Sequence, residues 1–193
     1  AAWAAQVTGL AFWGARQPDD ARQWLDRAAT WAAQIGAARL GFEARLALRR
    51  LALNGSPHSD PAGAARGLVE LAAQARGRGM EDIVAEALAW AAYGMLLAGE
   101  DVAEALELAR RAGAEAEACR AWWPLVAARG AEALALAPGD ARAAAAVLGE
   151  AAMDAAARAR ALGLKPAAPW SWPDLAPLQA ARRACRPGRG GER

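Results

Sequence analysis

Several residue types that carry chemistry are nearly absent from this chain of 193 residues. It contains one histidine, His58, and two cysteines, Cys119 and Cys185, which lie far apart in the sequence. Neither cysteine belongs to a Cys-x-x-Cys or Cys/His cluster, so we expect no metal site and no cofactor. His58 is flanked by serines and Asp60. Neighbours in one loop rarely reach the geometry of a catalytic triad, and we therefore expect a surface histidine and no enzymatic activity.

Long uncharged runs are also missing. The longest are residues 1–15 and 87–99, both shorter than the roughly 20 residues that a membrane-spanning helix needs. The sequence begins Ala-Ala-Trp-Ala-Ala, without an initiator methionine or the basic stretch of a signal peptide. We therefore expect a cytoplasmic fragment of a longer protein, with no membrane contact and with reduced cysteines.

Net positive charge is confined to the C-terminus. The whole chain has a net charge of +2, but residues 181–193 alone carry +4, which leaves −2 on the remainder. That remainder has no electrostatic footprint for nucleic acid. We interpret residues 186–193 as a disordered basic tail, with a weak contact to RNA or to an acidic surface as the alternative.

β-Branched residues other than valine are few, and isoleucine occurs only at positions 35 and 83. Hydrophobic residues make up 55% of the chain, mostly as alanine. Alanine, leucine and arginine are strong helix formers, so the composition predicts an all-α protein.

What the sequence does contain is a repeat of about 40 residues. Asp20, Asp60, Asp101 and Asp140 stand 40, 41 and 39 residues apart, each at a turn before an alanine-rich run. A fixed period of this length is typical of stacked helical hairpins. We predict a repeat domain over residues 1–163. Its four antiparallel hairpins span about 1–36, 37–78, 79–121 and 122–163.

Each hairpin carries local helix signals. In the first, Asp20 is a predicted N-cap, and the helix after it has the spacing of one buried face, formed by Ala21, Trp24, Leu25, Ala28, Trp31 and Ile35. Gly36 suits the end of that helix. Gly113 lies inside the third hairpin, where we favour one continuous helix over a break.

The texture changes after the fourth hairpin. Within residues 164–185, four prolines lie close to Trp170 and Trp172, and a short helix is predicted near Leu178–Cys185. The last hairpin of an array has no following neighbour to cover its apolar face. We predict that the proline- and tryptophan-rich segment folds back as a C-terminal cap.

The first hairpin resembles a tetratricopeptide repeat. Gly9, Phe12, Ala21, Leu25 and Ala28 occupy the small, aromatic, small, large and small positions of that consensus. The third hairpin repeats part of this pattern with Tyr93 and Ala103. The longer period is similar to that in the sensor regions of large bacterial transcriptional regulators of the MalT and LuxR-like type.

This resemblance implies a right-handed superhelical array, or α-solenoid, in which the first helix of each hairpin lines a concave face. By that correspondence the face would include residues of hairpins one, three and four, namely Gln6, Leu10, Trp13, Met95 and Val126. Arg45 and Arg49, one helical turn apart on the second hairpin, could clamp a carboxylate. A solvated helix face is the alternative for these two arginines.

Together these features favour a non-catalytic domain that binds a protein or peptide segment, including another domain of the same protein, or relays a signal in a bacterial regulator. The alternative is a compact helical ligand-binding domain whose nine tryptophans surround an apolar pocket. At helical spacing, core packing between hairpins is the simpler role for those tryptophans.

Overall fold

The computed structural model describes residues 1–53, 59–161 and 176–185. Within these ranges the chain forms nine α-helices and no strand, which confirms the all-α prediction. The helices are α1 (Ala2–Gly14), α2 (Pro18–Gln34), α3 (Ala38–Leu53), α4 (Pro61–Arg76), α5 (Glu81–Ala98), α6 (Val102–Ala118), α7 (Trp122–Leu136), α8 (Ala141–Ala161) and α9 (Ala176–Ala184).

Aspartates begin three of these helices. The backbone N–H of Gly63 donates to Asp60 Oδ1 at 2.9 Å, and that of Ala103 donates to Asp101 Oδ1 at 2.8 Å. Asp140 Oδ1 accepts from the third residue beyond it at 2.9 Å. Each carboxylate satisfies one of the free N–H groups in a first helical turn.

The predicted N-cap at Asp20 is wrong. α2 begins at Pro18 with Gln17 as its N-cap residue, and Asp20 lies in the first turn without capping the helix. Proline suits the first helical position because its φ is already helical and its missing N–H would have no partner there. Asp20 and Asp19 still lie near the positive end of the helix dipole.

The predictions for Gly36 and Gly113 are confirmed, whereas that for Ile35 is wrong. Gly36 adopts a φ of +68° just after α2, which only glycine reaches without strain. Gly113 lies inside an uninterrupted α6, as predicted. Ile35, predicted to be buried, is 70% exposed because it is the C-cap residue of α2 and leaves the buried face.

Packing follows chain order. Each helix from α1 to α8 packs against the next, and α1 with α3, α3 with α5 and α5 with α7 are also in contact. The buried core runs through α3 to α7 and includes the fully enclosed side chains of Phe42, Leu68 and Trp90. On α2, the predicted face of Ala21, Leu25 and Ala28 is buried as well.

At the C-terminal end, α9 packs mainly on α7 and also touches α8. Leu178 is fully buried there, in a cluster with Val126 and Ala151. Trp170, Trp172 and most of the predicted cap lie outside the described residues, as do His58 and the basic tail. The cap therefore stays a prediction.

Candidate functional site

The seven residues that the sequence suggests for a binding face lie in three places. Gln6, Leu10 and Trp13 lie on α1. Arg45 and Arg49 lie on the side of α3 that faces α2 and α4. Met95 and Val126 are buried.

Beside α1 lies an ion-paired face that connects α3 to α5. Arg39 donates to Glu43 at 2.9 Å and to Asp82 at 2.5 Å. Arg50, which is 7% exposed, donates from Nη1 to Glu86 at 2.8 Å. The hydrogen bond from Arg39 holds the pKa of the Asp82 carboxyl below its ordinary value.

Two of the predicted α1 residues contact this ion-paired face. Gln6 Nε2 donates to Glu43 Oε2 at 3.3 Å. The guanidinium carbon of Arg50 lies 5.1 Å from the centre of the Trp13 ring, which is a cation–π distance. Both side chains are half-buried, and both help to seat α1 on α3.

Leu10 belongs to an apolar stripe on α1. Trp3, Val7 and Leu10 recur at a spacing of four and three residues and are 69%, 45% and 40% exposed. No residue of α1 is charged. A helix that is apolar on all sides is typical of a buried position. On α1, however, this stripe is an exposed apolar surface.

Arg45 and Arg49 line a separate groove of about 370 Å³ between α2, α3 and α4. We call this cavity the arginine groove. The polar residues that line it are Arg22, Asp26, Arg45, Arg49, Glu70 and Gln74. The two predicted arginines therefore share a site with each other, but not with Gln6 and Trp13.

Arg45 is held at the inner end of the arginine groove. Its guanidinium donates to the carbonyl of Gly41 and to Gln74 Oε1, at 3.2 and 3.1 Å, and lies over the Phe42 ring at 4.4 Å. Burial lowers the pKa of Arg45, and the positive charge of Arg78 lowers it further.

The remaining predicted residues belong to the core. Met95 packs with Ala65 and Ala105 and is 7% exposed, whereas Val126 packs with Leu178 and is 1% exposed. Helices α5 and α7 each contact at least three other helices, so apolar side chains on most of their sides are covered. In this structure neither residue offers a surface to a partner.

Three of the described tryptophans take part in packing. Trp90 is fully buried, and Trp122 and Trp123 meet edge to face with ring centres 5.0 Å apart. Neither the arginine groove nor the second cavity, between α2 and α3, has a tryptophan in its lining.

Among the described residues no group of histidine, cysteine or acidic side chains could hold a metal ion. None of the helices in the described ranges is both long and apolar enough to cross a membrane.

Sequence reasoning missed Arg22 and Gly67 in the arginine groove, and Trp3 and Val7 in the α1 stripe. Gly67 had a usable signal, because a glycine inside a helical pattern often marks a close approach of another group. Arg22 had none, since its proximity to α3 depends on how two helices pack.

Comparisons with protein families, with curated proteins and with solved structures found no match for this chain.

Proposed function

We propose that this chain is a non-catalytic array of about four antiparallel hairpins, a right-handed tetratricopeptide-like superhelix. In this proposal it binds a protein or peptide segment, or relays a signal, within a larger cytoplasmic bacterial regulator. The observation that supports it is the order of helix packing. All extensive contacts between described helices join helices that are one or two apart in the chain. A compact bundle would instead bring the first hairpin against the fourth.

α1 packs mainly against α2 and α3, whereas α5 and α7 each contact four other helices. The apolar stripe of Trp3, Val7 and Leu10 is accordingly left exposed on α1. Exposed apolar surface of this kind marks interaction sites in proteins. A binding role accounts for this surface, whereas a catalytic role has no cluster of acid, base or nucleophile to support it among the described residues.

The competing function, a ligand-binding domain with a tryptophan-lined pocket, has no such support. The two described cavities are lined by arginine, alanine, glycine and acidic or amide side chains, with Leu48 and Leu71 in the arginine groove, and neither lining includes a tryptophan. We therefore develop only the protein-binding proposal.

Site-specific photocrosslinking in the native host tests this proposal. A photoreactive phenylalanine analogue replaces Leu10 in the full-length protein, and Met153, an apolar residue of α8 that is 66% exposed against 40% for Leu10, serves as the control position. We expect one discrete protein adduct, or one discrete intramolecular adduct, from position 10 and none from position 153.

A second variant, Leu10→Glu, should abolish productive binding of that same partner without lowering the melting temperature, because Leu10 is 40% exposed. If position 10 gives no adduct, or the same adducts as position 153, the protein-binding proposal is wrong.

A further inference from the structure

Within the described residues, the arginine groove brings three arginines without an ion pair into one cavity. Arg39, Arg50, Arg76, Arg110 and Arg129 all pair with carboxylates. None of the ion pairs among the described residues includes the three arginines of the groove, Arg22, Arg45 and Arg49. Three guanidinium groups from two helices therefore line one cavity without a carboxylate partner.

Gly67 on α4 makes room for one of these groups. A Cβ atom added at Gly67 would lie 2.6 Å from Cζ and 2.7 Å from Nε of Arg49. Glycine inside a helix is destabilising relative to alanine, yet alanine at position 67 would drive the Arg49 guanidinium away. The Arg49 guanidinium therefore occupies the space that a Cβ at position 67 would need.

The charge of the groove selects the kind of anion. Its lining carries three arginines against Asp26 and Glu70, a net charge of +1. One carboxylate would neutralise that excess, whereas a phosphate dianion would reverse the net charge of the groove to −1 and would be repelled more strongly by the two acidic side chains. Arginine presents a planar fork of donors that matches a carboxylate.

The groove is also accessible. Asp26, Arg49 and Glu70 are exposed at its rim, and Arg45 is half-buried at its inner end. A volume of about 370 Å³ admits a side chain of a bound segment rather than a whole folded element. The occupant is therefore a side chain that carries one negative charge.

We propose that the arginine groove binds the carboxylate of a glutamate or aspartate side chain from an acidic peptide segment. The groove lies on a different side of α3 from the ion-paired face, so it is a contact distinct from the α1 stripe. This inference rests on the proposed function, because it names the chemistry of the segment that the array recognises.

The test is an NMR titration of the ¹⁵N-labelled chain, which follows the arginine Nε–H signals. The probes are an acetylated and amidated hexaglutamate peptide, the matching hexaglutamine peptide and inorganic phosphate. We expect hexaglutamate alone to shift the signals of Arg22, Arg45 and Arg49 in a saturable way. Absence of saturable shifts with hexaglutamate, or equal binding of phosphate, would overturn the proposal.

Two variants and one control locate the site. Arg49→Ala and Gly67→Ala should each weaken hexaglutamate binding about tenfold, the effect of losing one charge-assisted contact. Arg142→Ala, at an exposed arginine of α8, should leave it unchanged. Gly67→Ala should keep or raise the melting temperature, so its loss of binding cannot come from unfolding. Equal weakening by Arg142→Ala would show non-specific attraction and refute the site.

The two proposals fail separately. If hexaglutamate does not bind but position 10 still crosslinks to a discrete partner, the carboxylate site is wrong and the protein-binding function stands. If hexaglutamate binds and position 10 gives no adduct, the anion site stands and the proposed function of the α1 face fails.

Discussion

At the scale of the residue, Arg49 and Arg50 show how one position along a helix changes a side chain's role. Arg50 is buried between Trp13 and Trp90, with its guanidinium 4.4 Å from the Trp90 ring, whereas Arg49 is exposed at the arginine groove. Successive residues of an α-helix are rotated by about 100°, so neighbours face different helices. Arg49 therefore lies at the proposed carboxylate site, whereas Arg50 stabilises the packing of α1, α3 and α5.

Tyr93 is a second informative residue because it is the only tyrosine of the chain. Its ring is 4% exposed and packs edge to face against Trp90, with ring centres 5.9 Å apart. Burial raises the pKa of the phenol, and the positive charge of Arg183 on α9 offsets part of that rise. Its ionisation therefore reports on the integrity of the core.

We predict that Tyr93 titrates above the ordinary tyrosine pKa of about 10. Because the folded pKa is raised, the stability from the neutral phenol is fully present below pH ~10 and is lost as the pH rises through the folded pKa. Absorbance at 295 nm measures this titration directly because it rises when the tyrosine ionises, whereas tryptophan does not ionise in this pH range. Tyr93→Phe should remove this part of the alkaline loss of stability, and an ordinary midpoint in the folded chain would contradict the buried phenol.

At the scale of the element, α9 depends on a glycine of α7. A Cβ atom added at Gly130 would lie 2.6 Å from the backbone nitrogen of Leu178 and 2.9 Å from its Cα. A backbone cannot swing aside as a side chain can, so any other residue at this position pushes α9 off α7. The burial of Leu178, Pro177 and Ala181 requires this close approach.

We predict opposite effects for two glycine-to-alanine changes. Gly130→Ala should lower the free energy of unfolding by about 2 kcal/mol, through lost burial under α9. Gly113→Ala should raise it by up to about 1 kcal/mol, because its added Cβ would meet only Ala128 Cβ at 4.0 Å and alanine favours the helix. Urea unfolding measures both values.

Trypsin gives an independent reading of the same pair. Gly130→Ala should accelerate cleavage after Arg182 and Arg183, which are exposed on α9. If both variants unfold and cleave alike, α9 does not rest on Gly130.

At the scale of the whole molecule, the C-terminal region decides whether the last hairpin is covered. α9 lies on α7 and encloses Val126 and Leu178. Removing that region would expose apolar surface at the end of the array, and such surface promotes association between copies.

We therefore predict that deletion of residues 166–193 lowers the melting temperature by several degrees and produces self-association. Deletion of residues 186–193 alone is the control, and it should change neither property. Circular dichroism and analytical ultracentrifugation make the two measurements. A monomeric product with unchanged stability after the longer deletion would refute the predicted cap and leave the segment as a linker.

Features that depend on a few neighbouring residues could be predicted from the amino-acid sequence. The helical class follows from the alanine-rich composition, and Asp60, Asp101 and Asp140 cap helices because their carboxylates reach N–H groups two or three residues away. The error at Asp20 is equally local, since the competing signal of Pro18 started the helix earlier.

The side of each helix that is exposed to solvent depends on how the helices pack, and it could not be predicted from the sequence. The presence of Arg22 and Arg45 in one cavity, and the burial of Met95 and Val126, depend on contacts between residues far apart in the chain. An alanine-rich helix carries little record of its neighbours, because small apolar side chains suit both a buried and an exposed face. Packing between helices, rather than periodicity within them, therefore set the location of both candidate surfaces.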